Sequence, residues 1–267
     1  MYEEYWQLRD KPFRNTPDPR YFYFSRQHEE ALARALYVIT EGQGGAMLLT
    51  GDCGCGKTLI TRVLVDELDP ARFEAALVTY PKLDPVELLG EILRQFGFAN
   101  APEWPKPKML EALGNFLRHT HLRGASTLII VDEGQVMHND ETLEEVRLLL
   151  NFQQDRSFFL TLLLVGQPEL RGRIASLPQL SQRLTVRYHI SGLHPEDARK
   201  YLRHRLAMAG CRNEVFKSGA ETLIIESSGG VPRKLNQIAD RALLIGYANA
   251  SALVDEEVAQ KAVDDMH

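Results

Sequence analysis

The sequence has 267 residues, of which 44% are hydrophobic and 25% are charged, and its formal net charge at pH 7 is -5. A chain of this length and composition is expected to form a globular protein with one large domain and a smaller one. The net negative charge argues against a dedicated nucleic-acid-binding protein. Three cysteines are too few for a disulfide framework. Because the sequence has no run of about 18 apolar residues, we expect no transmembrane helix.

The first six residues are acidic and aromatic, whereas a secretion signal would be basic and then apolar. The small number of cysteines also fits a reducing compartment. We therefore expect a cytoplasmic protein.

A glycine-rich loop at residues 51–58 is the strongest motif in the sequence. It fits the pattern G-x-x-x-x-G-K-[ST] at every fixed position, follows an apolar run at residues 46–50, and precedes a stretch with apolar residues at helical spacing. Its glycines allow successive backbone N–H groups to turn inward around an anion, at the positive end of the following helix. The loop predicts a nucleoside triphosphate as ligand; a glycine-rich turn without a ligand is the alternative.

We expect the triphosphate to contact the whole of this loop. Lys57 meets the β- and γ-phosphates, and Thr58 offers its hydroxyl to Mg²⁺. Cys53 and Cys55 stand at positions that require small side chains, but a thiol beside a lysine could also be oxidisable, and its oxidation would block nucleotide binding. The residues predicted to bind the nucleotide are Gly51, Asp52, Cys53, Gly54, Cys55, Gly56, Lys57, Thr58 and Leu59.

Short β-rich runs alternate with longer helical stretches from residue 46 to about residue 190, which is typical of a parallel sheet with crossover helices. Strands are predicted over residues 46–50, 75–80, 127–132, 159–165 and 185–190. Helices are predicted over residues 85–98, 108–123 and 141–154. The three prolines within residues 101–107 indicate a loop.

Helical patterns replace strand patterns after Gly192. Helices are predicted over residues 195–209, 215–227, 231–248 and from residue 254 onward. The sequence therefore predicts an α/β nucleotide-binding domain with an amino-terminal extension over residues 1–192, and a helical domain over residues 193–267.

Two adjacent carboxylates, Asp132 and Glu133, end the buried run at residues 127–131. Because neighbouring side chains of a strand point to opposite sides, the two acids can do different work. Asp132 is predicted to hold Mg²⁺, and Glu133 to polarise a water for attack on the γ-phosphate. The pair therefore predicts hydrolysis; two surface acids that begin a loop are the alternative.

Three further residues are candidates for sensing or stabilising the γ-phosphate. Gln167 follows the fourth strand and could hydrogen-bond the γ-phosphate or the attacking water. Arg183 and Arg187 are candidates for an arginine finger presented to a neighbouring subunit, and we prefer Arg183 because it precedes the strand that contains Arg187. Alternatively, Gln167 is a polar residue that starts a turn, and the two arginines form surface salt bridges.

Arg233 lies in the first turn of a predicted helix, after Gly229-Gly230-Val231-Pro232. A cation there opposes the helix dipole and costs stability unless an anion compensates. A bound triphosphate would supply that anion.

In this order, the phosphate loop, the acidic pair, Gln167, Arg183 and Arg233 resemble the pattern of the AAA+ ATPases. More narrowly, the sequence resembles the ExeA/GspA group, ATPases associated with general secretion and with type IV or MSHA-type pilus assembly. The segments that carry this resemblance are KPFRNTPDPRYFYF at residues 11–24, HEEAL at residues 28–32, GQPEL at residues 166–170 and RYH at residues 187–189. The resemblance covers essentially the whole chain.

The resemblance implies ATP with Mg²⁺ as the bound nucleotide, and a P-loop NTPase sheet of the AAA+ kind followed by a helical lid domain. It implies that residues 23–26, including Arg26, lie near the adenine and that Arg233 is a second sensor. It also implies a homo-oligomeric ring or filament whose active sites are completed between protomers. Any association with the inner membrane would be made through partners.

Two functions follow from the resemblance: an ATP-driven assembly factor for a secretion, pilus or envelope polysaccharide system, or a regulator of the transposition type (TnsC-like) that oligomerises on DNA. Secretion-linked members often continue into a membrane span and a peptidoglycan-binding segment, and this sequence ends at His267 with neither. The basic stretch at residues 199–205 would contact DNA phosphates in the second reading, or form a solvated helix face in the first. A nucleotide-binding protein without hydrolysis is a third alternative.

Overall fold

Five parallel strands form a sheet in the order β2-β3-β6-β1-β7. The computed structural model describes residues 1–16, 18–41, 45–137, 139–154 and 157–266, so Pro17 of the opening signature and His267 lie outside the described residues. The strands are β1 (Ala46–Gly51), β2 (Phe73–Val78), β3 (Ser126–Val131), β4 (Gln153–Gln154), β5 (Ser157–Phe158), β6 (Leu160–Gly166) and β7 (Leu184–Ile190). The short β4 and β5 pair with each other in an antiparallel hairpin.

The five predicted strands are confirmed, each to within two residues. The three central strands, β3, β6 and β1, are buried along almost their whole length, whereas the edge strand β7 alternates between buried and exposed residues. Central strands of a parallel sheet are covered on both faces, so they require continuous apolar runs. This is why the apolar runs of the sequence identify them.

Helix α1 (Arg26–Thr40) precedes β1. The helices between the strands are α2 (Lys57–Glu67), α3 (Pro85–Gln95), α4 (Lys106–Leu122), α5 (Asp140–Leu149), α6 (Pro168–Ala175) and α7 (Pro178–Arg183). Asp84 and Glu87 form a capping box at the start of α3, with Pro85 in its first turn. The predicted helix at residues 85–98 is too long, because Gly97 takes a φ of 94° that ends the helix before it.

A second group of helices follows the sheet: α8 (Pro195–Met208), α9 (Ser218–Ser228), α10 (Pro232–Ala248) and α11 (Glu256–Asp264). The predicted helical region after residue 192 is thus confirmed. The helix expected from residue 215 begins three residues later, because Phe216 forms a parallel bridge with Val254.

The chain divides into two compact units. The sheet unit comprises Gln27–Gly51 and Ile60–Ile190, and the helical unit comprises Met1–Arg26, Asp52–Leu59 and Ser191–His267. The sequence analysis assigned the amino-terminal extension to the α/β domain, whereas in the structure its first 26 residues belong with the carboxyl-terminal helices. Within the helical unit, buried aromatic side chains of the extension, including Trp6, Phe13 and Tyr21, share one hydrophobic core with those helices.

Arg205 on α8 holds the amino-terminal extension in the helical unit. Only 5% of this residue is exposed, and its guanidinium donates hydrogen bonds to the backbone carbonyls of Pro12 and Arg14, the latter at 2.7 Å. Its guanidinium carbon also lies 4.6 Å from the ring centroid of Tyr21. A buried cation is stabilised only when its donors are satisfied, so these contacts order the extension on the helix.

No helix among the described residues is long and apolar enough to cross a membrane.

We predict that Arg205→Ala lowers the free energy of unfolding by about 2–4 kcal/mol, because the carbonyls of Pro12 and Arg14 lose their donor. Urea unfolding followed by circular dichroism measures the change. Lys200→Ala, at an exposed position of the same helix, is the control and should alter stability by less than about 0.5 kcal/mol. Equal stability of the two variants would contradict the role given to Arg205.

Candidate active site

The glycine-rich loop directly follows β1, and α2 begins at Lys57. Gly54 has a φ of 88° and Gly56 a φ of 94°, both in the left-handed region that favours glycine. The loop is closed by a hydrogen bond from the backbone N–H of Cys55 to the carbonyl of Asp52, at 3.3 Å. Two of the loop's glycines are therefore required by the backbone itself.

The side chain of Lys57 lies against the backbone of this loop. Lys57 is only 5% exposed, and its ammonium donates a hydrogen bond to the carbonyl of Asp52 at 2.9 Å. An ammonium has three protons to donate, so phosphate oxygens can be bound while the loop contact is kept. Lys57 is thus positioned within the motif that is predicted to bind phosphate.

The first turn of α10 contacts the phosphate loop within the helical unit. The backbone N–H of Arg233 donates to the carbonyl of Gly54 at 3.3 Å, and its guanidinium donates to the Cys53 sulfur at 3.2 Å. A Cβ on Gly54 would lie 2.6 Å from the Cβ of Arg233, so the close approach depends on glycine. The amino terminus of α10 has no side-chain cap, and its Val231 is the N-cap residue. The Arg233 guanidinium and the uncapped amino terminus of α10 therefore both contact the phosphate loop.

The two loop cysteines differ in environment. Cys53 is exposed, whereas Cys55 is fully buried, and burial raises the pKa of the Cys55 thiol to about 11. A thiol with such a pKa stays protonated at neutral pH and is a poor nucleophile. The sequence analysis considered oxidation of both loop cysteines as an alternative role. For Cys55, oxidation is disfavoured.

The acidic pair follows β3 at the carboxyl edge of the sheet. Asp132 is 1% exposed, and its carboxylate accepts a hydrogen bond from the backbone N–H of Glu133 at 2.8 Å. The strand ends at Val131, one residue earlier than predicted, and Glu133 has a left-handed backbone with a φ of 55°. The argument from strand alternation is therefore wrong: the two acids are separated by a left-handed turn, not by the pleat of a strand.

Gln135 connects Glu133 to the neighbouring strand. Its side-chain amide donates to the Glu133 carboxylate, and its side-chain oxygen accepts a hydrogen bond from the backbone N–H of Gln167 at 2.9 Å. Gln167 follows β6, which pairs with β3, so the predicted proximity of Gln167 to the acidic pair is found. The sequence analysis overlooked Gln135; its position two residues after Glu133, within a turn, was the available signal.

The two candidate finger arginines lie at the edge of the sheet unit. Arg183 ends α7 and donates to the side chain of Asn151 at 3.1 Å. Arg187, in the edge strand β7, donates to the carbonyl and hydroxyl of Ser181, both at 2.7 Å. The preference for Arg183 stays a prediction.

The segment expected near the adenine belongs to the helical unit. Arg26 is exposed at the start of α1. The Tyr23 hydroxyl donates to Asp197 at 3.2 Å, and its ring centroid lies 5.7 Å from that of His204. Burial lowers the pKa of His204, which favours the neutral imidazole. Tyr23 and His204 are thus an aromatic pair, and their role toward adenine stays a prediction.

The basic stretch at residues 199–205 is mostly engaged inside the helical unit. Arg199 and Arg203 both form ion pairs with Glu221, at 3.3 Å and 3.0 Å. Arg205 is buried, as described above, and Lys200 is exposed. Most of these cations already have protein partners, which weakens the interpretation of the stretch as a DNA-binding surface.

Sequence comparison finds a matching family and a similar protein. A family profile described as "AAA domain" matches residues 40–174. The General secretion pathway protein A of Aeromonas hydrophila is 36% identical over 253 residues, which cover 94% of this chain and 46% of that protein. The chain thus spans less than half the length of this relative.

Solved structures share the fold. The ORC2 protein of Aeropyrum pernix, in its ADPNP-ADP complexes, superposes with a TM-score of 0.72 at 20% identity, covering 96% of this chain and 71% of that one. The ORC1 protein of the same organism, in complex with DNA, gives a TM-score of 0.73 at 17% identity, covering 96% of this chain and 69% of that one. At these identities the likeness shows the fold alone, which is that of the AAA+ P-loop NTPases.

We predict that iodoacetamide at about pH 8 alkylates Cys53 but not Cys55 in the folded protein, because Cys55 is buried and its thiolate forms only as the pH approaches its raised pKa. Mass spectrometry of the digested protein measures the modification at each site. In urea both cysteines should react, which provides the control. Equal alkylation of both in the folded protein would show that the description of Cys55 is wrong.

Proposed function

This chain belongs to the AAA domain family, and from that premise we propose that it hydrolyses ATP to drive or switch the assembly of a protein complex. The similarity to General secretion pathway protein A supports secretion as the setting. A pilus or envelope polysaccharide system is the other setting that we propose for the same activity. Association with the inner membrane would then be made through protein partners.

The observation that carries the hydrolytic proposal is the set of residues at the ends of three adjacent strands. Gly51, the first residue of the phosphate loop, ends β1, the acidic pair follows β3, and Gln167 follows β6. Ligands of open α/β sheets bind at the carboxyl ends of the strands. A carboxylate that can act as a base, placed at that edge, supports hydrolysis over binding alone.

In the proposed reaction, Glu133 accepts a proton from a water as the water oxygen bonds to the γ-phosphorus. The bond from that phosphorus to the oxygen bridging to the β-phosphate breaks, which releases ADP and phosphate. Lys57 and Arg233 would stabilise the negative charge of the phosphates, and Gln167 would hydrogen-bond the γ-phosphate or the water.

Thr58 and Asp132 are the residues that we propose to hold Mg²⁺. The Asp132 carboxylate is buried at the end of β3. Mg²⁺ typically takes one or two protein ligands together with phosphates and waters, and when bound it would neutralise charge on the triphosphate.

The DNA-directed alternative has less support. Its main sequence feature was the basic stretch at residues 199–205, in which Arg199, Arg203 and Arg205 are occupied by contacts within the helical unit. Phosphate binding by these arginines would have to replace those contacts. We therefore keep the assembly factor as the proposed function.

We predict that Glu133→Gln retains ATP binding but lowers turnover by about 10²–10⁴-fold, because the amide cannot accept the proton from water. Phosphate release measures turnover, and a fluorescent ATP analogue measures binding. Glu111→Gln, at an exposed position of α4, is the matched control and should leave both unchanged. Hydrolysis at the wild-type rate in Glu133→Gln would refute the role of Glu133, and wild-type protein without turnover at any concentration would refute hydrolysis.

We predict that Arg183→Ala lowers turnover by about 10³-fold, because an arginine finger stabilises charge on a neighbouring subunit's γ-phosphate, whereas Arg187→Ala leaves it near wild type. Mixing Arg183→Ala with Lys57→Ala protein tests the neighbour directly. Such a mixture forms some sites with an intact Lys57 from one protomer and an intact Arg183 from the other, so turnover should partly return. No recovery on mixing would contradict a shared site.

A further inference from the structure

We propose that Gln135 is a positioning residue, which holds the Glu133 carboxylate in the orientation needed to accept a proton from water. The proposal rests on the hydrolytic function above, but it concerns a residue to which the phosphate-loop and acidic-pair motifs assign no role. Its basis is one side chain whose two polar atoms are both engaged, one with Glu133 and one with the neighbouring strand's end.

The first observation is the direction of each hydrogen bond. An amide has a donor and an acceptor on the same carbon, and here the nitrogen donates to Oε2 of Glu133 while the oxygen accepts from the backbone N–H of Gln167. The amide orientation is therefore determined by both partners, since a rotation by half a turn would set oxygen against carboxylate and N–H against N–H. Glu133 is thus tied through Gln135 to the backbone at the start of α6.

The second observation is that the backbone makes room for this amide. A Cβ on Gly166 would lie 2.7 Å from the side-chain oxygen of Gln135, closer than such atoms approach in proteins. Glycine at this strand end allows the amide to reach the Gln167 backbone. Gly166, the last residue of β6, thus allows the hydrogen bond between Gln135 and Gln167.

The third observation is that the backbone of Gln135 is itself held. Arg173 on α6 donates to the carbonyls of Gln135, at 3.3 Å, and Met137, at 2.7 Å, and it also pairs with Asp140. The backbone N–H of Val136 donates to the carbonyl of Glu133 at 2.9 Å. A positioning group is effective when its own support is rigid, and these contacts supply that support.

The chemistry of an amide suits this position. A neutral donor orients the carboxylate without the full charge that an arginine or lysine would place beside it. Gln135 occupies Oε2, so Oε1 is the oxygen that we assign to proton acceptance. Orientation alone is worth a large factor, because a displacement of about 1 Å of a reacting group can cost about 10²-fold in rate.

Gln135→Ala and Gln135→Glu test the proposal in the full-length chain. Both should lower kcat by about 10–100-fold. Gln135→Ala should leave KM and the affinity for a non-hydrolysable ATP analogue unchanged, because it alters neither the charge of the site nor a residue predicted to contact the phosphates. Gln135→Glu keeps an oxygen that can accept from Gln167, but it replaces the donor to Glu133 with a second carboxylate that repels it. The control is Gln95→Ala, which removes an exposed glutamine–glutamate hydrogen bond of 2.8 Å on α3.

A double variant distinguishes positioning from a general structural role. If Gln135 acts only through Glu133, then Glu133→Gln with Gln135→Ala should have the same residual turnover as Glu133→Gln alone. Wild-type kcat in both single variants, a parallel loss of nucleotide affinity in Gln135→Ala, or an additional loss in the double variant would each overturn the proposal. Wild-type protein that does not hydrolyse ATP would overturn the proposed function and this inference with it, whereas loss in Glu133→Gln with no loss in the Gln135 variants would overturn the inference alone.

Discussion

Burial of β3, β6 and β1 on both faces of the sheet is the constraint on which the rest of the structure depends. Strands covered on both sides carry no charged residue along their length, so charged groups stand where the strands end. Glu133 and Asp132 therefore follow β3, beside the end of β6 that leads to Gln167. The hydrophobic burial that stabilises the sheet also collects the polar residues of the candidate site at one edge.

Two glycines, one in each unit, allow close approaches on which the candidate site depends. Gly54 admits the first turn of α10 to the phosphate loop, and Gly166 admits the Gln135 amide to the end of β6. In each case a polar contact is made where a Cβ would prevent it. Gly54 stands at a variable position of the loop pattern, and Gly166 belongs to no catalytic motif. Tertiary packing therefore adds a requirement for glycine at both positions, besides the left-handed backbone of Gly54.

Elements defined by local pattern were predictable, and those defined by distant contacts were not. The apolar runs predict all five strands of the sheet, but α6 and α7 are short helices without a clear apolar stripe and were overlooked, as was α1. The contact of Gln135 with Gln167 spans 32 residues and depends on the pairing of β3 with β6. The sequence analysis grouped the amino-terminal extension with the sheet because the extension precedes the sheet in the sequence. Its partners in the helical unit are revealed only by the buried contacts of Arg205 and by the aromatic core.

The composition of the helical unit has a consequence for synthesis on the ribosome. Its first segment, Met1–Arg26, emerges long before its last, Ser191–His267, and the phosphate loop belongs to the same unit. Trp6, Phe13 and Tyr21 therefore have no native core to enter until the helices that follow Ser191 have been made. Contacts of such sequence separation form late, and exposed aromatic side chains favour aggregation in the meantime. The sheet unit, whose segments span residues 27–190, has all of its strands available earlier. Nascent chains released before α10 is made would thus carry all strands of the sheet, but their phosphate loop would lack its contact with α10.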